Sequence, residues 1–273
     1  PWGVWGTLWR FWPVLIILIG VNIIWGRSHP WLVTGLTLLS IVVVLGIGIA
    51  MSAMQGGTLT TNTSISEPRG DLSRVEVEID FGAGNLALDS LVNNRGNLVE
   101  GDAEHTGWGR DGGIVKEIER RSGVGILKLS QESATWFFSG GDRSDTWHIH
   151  LSPDIPMELT LKTGASDSEI DLSKLKVTKL NIQTGMSQLS LTLPEAAGRT
   201  TIAAIKAGAA DVKITVPQNV AARIIAQTGL SSTNIDEKRF PRTGAYYQSP
   251  NYEDATNRVD LQVEGGVANL RIR

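Results

Sequence analysis

The 273-residue chain has no cysteine, which excludes disulfides, thiol catalysis and thiolate metal sites. Its four histidines are His29, His105, His148 and His150, and no Gly-x-Ser-x-Gly elbow occurs anywhere. Ser-His-Asp hydrolysis therefore has no nucleophile motif to start from. No Gly-x-x-x-x-Gly-Lys run is present, so a phosphate-cradling loop is excluded.

Acidic residues are missing from positions 1–54, where Arg10 and Arg27 are the charges and six of the nine tryptophans lie. That is membrane composition, with tryptophan at headgroup level. Two apolar runs, roughly residues 8–25 and 31–51, flank Gly26-Arg27-Ser28-His29-Pro30. At about 1.5 Å rise per residue each is near the length that crosses a hydrocarbon core of about 30 Å. The expectation is a transmembrane helical hairpin over residues 1–54, in contact with membrane lipid. A secretory signal fits less well, because the second run continues at full length with no small-residue cleavage site between the two. Pro13 sits in the first turns of the first run, where a missing N–H costs little. Asn22 suits a helix–helix hydrogen bond. Arg27 in the turn favours a cytoplasmic turn, a multi-pass position in the cell membrane and an extracytoplasmic C-terminal domain. The chain opens at Pro1 rather than at a methionine, which leaves room for residues upstream.

The remainder carries all 28 acidic residues and 23 of the 25 basic ones, a formal charge of 23 − 28 = −5. Nucleic-acid affinity is built from Lys and Arg contacts to phosphate, so no nucleic-acid partner is expected. Residues 55–72 are rich in Gly, Thr, Ser and Asn, include Pro68-Arg69-Gly70, and read as a linker. Within them Asn62-Thr63-Ser64 fits a short glycosylation pattern.

Residues 73–273 lack a helical period and alternate with period two. Val75, Val77 and Ile79 precede Gly82-Ala83-Gly84, and Leu86 and Leu88 follow. The pattern returns around Gly164-Ala165-Ser166, Gly185-Met186-Ser187, Gly208-Ala209-Ala210, Gly229-Leu230-Ser231 and Gly266-Val267-Ala268. The glycines at 164, 185, 208 and 229 stand 21 to 23 residues apart, a solenoid-scale repeat. One unit cannot bury its apolar face, so stacking of successive units follows. The fold class expected is all-β, a single-handed β-solenoid after a two-helix transmembrane hairpin. Loop excursions are expected near 93–147, read as longer hairpins and loops, and near 240–257, where Tyr246, Tyr247 and Tyr252 fall.

The polar motifs point to structure more than to chemistry. Thr184-Gly185-Met186-Ser187 could be a nucleophile loop, but Thr163-Gly164-Ala165-Ser166 and Thr228-Gly229-Leu230-Ser231 repeat it, and a catalytic site is seldom repeated once per rung. His148 and His150 share a strand face and could hold zinc. Trp147 and Ile149 would then form the buried face, leaving both imidazoles to solvent, with His105 the remaining histidine of the domain. Asp167-Ser168-Glu169-Ile170-Asp171 and Gly141-Asp142-Arg143-Ser144-Asp145 lack the order of a calcium loop. Gly82-Ala83-Gly84 with Ala87 matches a dinucleotide fingerprint, yet Leu86 and Leu88 continue the strand. No catalytic, cofactor-binding or metal residue is assigned.

Leu8-Trp9-Arg10-Phe11-Trp12-Pro13, the Thr184 to Pro194 rung with its repeat at Val212 to Pro217, Tyr247-Gln248-Ser249-Pro250-Asn251-Tyr252 and the last strands from Arg258-Val259 to Asn269-Leu270 resemble the toastrack-type, LiaF-like, cell-wall-active antibiotic response family. The likeness covers the hairpin and the chain from about residue 159 onward. It implies a non-enzymatic β-solenoid used for interaction, sensing envelope damage beside a histidine kinase or polymerising at the membrane surface. The partner expected is another protein or another copy of the chain. Two alternatives stand beside it: an accessory structural subunit of a larger membrane complex, and a polysaccharide-acting solenoid enzyme, which needs two carboxylates about 5 to 9 Å apart in a cleft.

Overall fold

The computed structural model describes residues 59–92, 96–107, 114–131, 144–195, 200–229, 232–266 and 268–273. The hairpin expected over residues 1–54 lies outside them. Among the described residues no helix is long and apolar enough to cross a membrane.

Alternation becomes strand. In β2 (Arg74–Ser90) Val75, Val77, Ile79 and Phe81 are buried before Gly82 and Leu86 and Leu88 after Gly84. The inward set changes from odd to even numbers at the corner, so β2 is one rung with two arms. β7 (Met157–Asp171) and β8 (Val177–Thr192) repeat the plan unbroken. The next rung is split into β9 (Thr200–Ala207) and β10 (Ala210–Thr215).

These rungs stack in parallel, and the apolar positions fall in line. Ile79 pairs with Leu161, Leu161 with Ile182, and Ile182 with Ile205 on the first arm. On the second arm Leu88, Ile170, Leu191 and Ile214 form the matching row. Each such side chain contributes about 1.5–3 kcal/mol when taken from water, and the rows are continuous through the stack. Close backbone approach accompanies them: a Cβ on Gly164 would stand 2.4 Å from the Gly82 carbonyl oxygen, and one on Gly185 2.8 Å from that of Gly164. Glycine is required there because the rungs touch main chain to main chain.

The expected stacking in chain order fails at the far end. β11 (Ala221–Thr228) and β12 (Ser232–Ile235) form the outermost rung, while β15 (Arg258–Gly265) and β16 (Ala268–Ile272) insert between it and β9/β10. Parallel pairing leaves no local mark in the sequence, so any alternating unit could occupy that slot. Beside β11 lie the short β14 (Tyr246–Gln248) and β13 (Arg242–Thr243).

At the near end the stretch expected as hairpins and loops contains a rung. β5 (Val124–Gln131) pairs in parallel with the first arm of β2, and β6 (Ser144–Leu151) with the second. In the sequence residues 132–143 separate its two arms, far more than the single Gly-x-small triplet of the other rungs, which is why the repeat was hidden. β4 (Ile114–Arg121) closes antiparallel on β5, and β3 (Asn97–Gly107) on β6. The segment expected as linker is largely strand too: β1 (Leu59–Pro68) pairs antiparallel with β3. Ile65 is buried in it, and the run from Thr60 to Ser64 carries no apolar period to read.

Candidate functional site

The corner hydroxyls were the first candidates for chemistry, and the fold turns them inward and bonds them together. Thr163 donates to the Thr184 hydroxyl at 2.8 Å, and Thr184 and Ser187 share a hydrogen bond of 2.5 Å. Thr163 and Thr184 are buried. Between them on the outside runs an open groove of about 610 Å³, floored by Gly82, Gly164, Gly185 and Gly208 and flanked by Asp80, Lys162 and Lys206. Lys162 donates to Glu78 at 2.6 Å, and that bond holds the Glu78 carboxyl below its ordinary range. The lysine is thereby held by an internal ion pair at the groove's rim. Gly82, Ala83 and Gly84 lie within β2, with no helix after them to receive a pyrophosphate.

The histidines do not converge. His148 and His150 sit on the outer face of β6, between the buried Trp147, Ile149 and Leu151, as alternation requires. His148 stands 3.5 Å from Asp102, and His150 pairs with Asp89. His105 points to the opposite, inner face and is 4% exposed. Its Nδ1 bonds Asp145, whose other oxygen accepts from Gln131 Nε2, while Gln131 Oε1 accepts from the Gly82 N–H at 2.8 Å. Asp145, one member of the Gly141–Asp145 motif, is thus spent on a chain of polar groups that is buried at His105 and Asp145 and reaches the surface at Gly82. Among the described residues His105 Nε2 has no hydrogen-bond partner, so none of them offers it a hydroxyl to activate. Asp167, Glu169 and Asp171 face outward, and among the described residues no three metal-ligating side chains cluster.

Nor are the tyrosines of the 240–257 segment free. The Arg223 guanidinium lies 4.3 Å from the Tyr252 ring centre and 5.7 Å from that of Tyr246, and donates to Gln248 and Glu253. Tyr252 donates to Asp260 at 2.5 Å. Burial first, then this bond and the Asp260 charge, push the phenol up to about 12. Ser249 exchanges two hydrogen bonds with Ala222, its Oγ accepting from the Ala222 N–H at 2.9 Å. Phe240 is fully buried, with Arg239 above its ring and bonded to the carbonyls of Val216 and Pro217. The segment is a lid on the last rung. Arg223 as its hub was not legible, since its partners are 25 and 30 residues away.

The described residues thus form an all-β domain of stacked two-armed rungs. The sequence model described as the N-terminal domain of toast-rack matches residues 55–215, and the one described as cell wall-active antibiotics response LiaF, C-terminal, matches residues 164–272. The chain belongs to this toast-rack, LiaF-like family. No curated protein matches it. Among solved structures, a "putative cell adhesion protein" from Clostridium sporogenes ATCC 15579 is similar at 20% identity and a TM-score of 0.70, over 79% of this chain and 100% of that one. That likeness shows the fold alone. A "putative adhesin" from Bacteroides fragilis NCTC 9343, at 12% identity over 80% of this chain and 98% of that one, reaches a TM-score of 0.29, too low to support an argument.

Proposed function

We propose that the chain is a membrane-anchored, non-enzymatic interaction module of β-solenoid build, held by a hairpin within residues 1–54 with its β domain outside the cytoplasm. It serves envelope-stress sensing or self-assembly at the membrane surface. The observation that carries this reading is the state of the reactive groups: Thr184, Ser187, His105, Asp145 and Tyr252 each bond another part of the same chain. Among the described residues, sheet edge and outer face are available to meet a partner, by main-chain pairing and side-chain complementarity. The test is crosslinking in native membranes together with protease shaving of intact cells. One dominant partner or a discrete oligomer, with residues 71–273 cleaved from outside, is expected; a chain that crosslinks to nothing would overturn the reading.

A further inference from the structure

The second-arm sheet ends on β1, and we propose that this edge docks the β1 strand of a second copy of the chain, antiparallel about a two-fold axis at Thr63. The inference rests on the interaction-module reading and deepens it by naming the edge and the partner.

β1 pairs with β3 along one side, and among the described residues no strand pairs with the other. Part of that side is closed. Lys116 Nζ donates to the Ser66 carbonyl at 2.8 Å and to Glu67 at 2.7 Å, and Arg120 donates to the carbonyls of Pro68 and Arg69 at 2.6 and 3.0 Å. The register also shifts between Glu67 and Pro68. Basic side chains, a proline and a bulge are the devices that stop edge pairing. Residues 61–65, Thr-Asn-Thr-Ser-Ile, have none of them: no charge, no proline, no glycine and a regular register. Thr61, Thr63 and Ile65 are β-branched, which favours extended pairing.

Chemistry and geometry select the occupant. A free ladder edge accepts an extended backbone, and an uncharged strand is complementary to itself. Opposed residues of an antiparallel pair face the same side of the sheet, so keeping both inner faces together requires partners of equal parity. The axis then passes at a residue, and the middle of the open window is Thr63. This pairs Thr61 with the partner's Ile65 and Asn62 with the partner's Ser64. The core row ending at Ile65 is thereby covered, while the exposed Asn62 and Ser64 stay outside. Acidic β3 residues Glu100, Asp102 and Glu104 tolerate the junction. Three strand spacings, about 14 Å, would separate the two acidic rows, beyond a Debye length of about 8 Å at physiological salt. The opposite end of the stack offers less, a four-residue β12 and a two-residue β13.

The test uses the full chain in detergent, by sedimentation equilibrium. Dimer is expected, and Asn62→Lys with Ser64→Lys should weaken it by about tenfold or more. The same double variant should melt within roughly 2 °C of the parent, since the new lysines stand opposite Glu104 and Asp102 within the chain. In this cysteine-free background, single cysteines at Thr61, Asn62, Thr63 and Ser64 report the register, with the most covalent homodimer expected for Thr63→Cys. A monomeric parent, a dimer indifferent to the lysines, or no covalent homodimer at any of the four positions would overturn the proposal. Cysteines that instead trap a different protein in native membranes would overturn self-pairing and leave the interaction reading standing; crosslinking to nothing at all would remove both.

Discussion

The middle of the stack and its two ends are made of the same alternating strands, yet they are held in order differently. From β7 through β8 to β9/β10, neighbouring rungs are also neighbours in sequence, and from β2 onward contact is main chain on main chain at the glycine corners. At the ends, strands insert out of chain order, and irregular side-chain clusters fix them: His105, Asp145 and Gln131 at one, Arg223, Tyr252 and Asp260 at the other. A periodic backbone contact can repeat without knowing which rung it joins. Placing a terminal rung needs groups that occur once.

The comparison breaks most severely at the corners. Gly84 has φ +125°, and a Cβ there would lie 2.1 Å from the Asp145 carbonyl oxygen. Gly84→Ala and Gly164→Ala should each cost about 3 kcal/mol or more, because backbone must move on both sides. Gly185→Val should destabilise comparably without abolishing any reaction. Gly266→Ala, where the nearest atom is 3.7 Å away, should cost less than about 1 kcal/mol. Chemical denaturation of the four variants reads the order. Equal losses at Gly164 and Gly266 would show that close approach is not what holds the middle.

A smaller effect isolates the Arg–Tyr lid. The Tyr252 phenol is raised from 10.0 to about 12, so the folded state favours its protonated form. Its contribution is complete below pH 10 and is lost as pH rises from 10 to 12, an amount of up to ~2 kcal/mol. Tyr252→Phe should cost ~1 kcal/mol at neutral pH through the hydrogen bond to Asp260. The gap between parent and variant should close across that alkaline window. A gap that stays constant to pH 12 would remove the lid from the account.

The same division explains what could be read from the sequence. Alternation and the 21-to-23-residue glycine spacing exposed the middle rungs, since strand, corner and strand lie within one short stretch. The outward setting of His148 and His150 followed from Trp147 and Ile149 beside them. The rung β5/β6 was hidden because residues 132–143 separate its arms in the sequence, and β1 read as linker because an edge strand buries little. His105 and Asp145 are 40 residues apart, and no local pattern joins them. The glycine at 185 sharpened from a possible catalytic loop into a contact of known distance.

The smallest effect concerns the closed part of the β1 edge. Glu67 is held below the ordinary carboxylate value of 4.5, first by the Lys116 hydrogen bond, then by Arg120. A depressed carboxyl contributes stability that is present above pH 4.5 and is lost as pH falls through the folded value. Both partners are partly exposed, so Lys116→Ala should cost ~0.5 kcal/mol at pH 7. That loss should fade in acid. Lys116 also occupies the Ser66 carbonyl, and its removal lengthens the open edge by one acceptor. If that bond is an edge block, Lys116→Ala lowers stability slightly while self-association strengthens. Sedimentation and melting of this one variant should therefore move in opposite directions, whereas a lysine that merely stabilises the end of β1 would make both fall together.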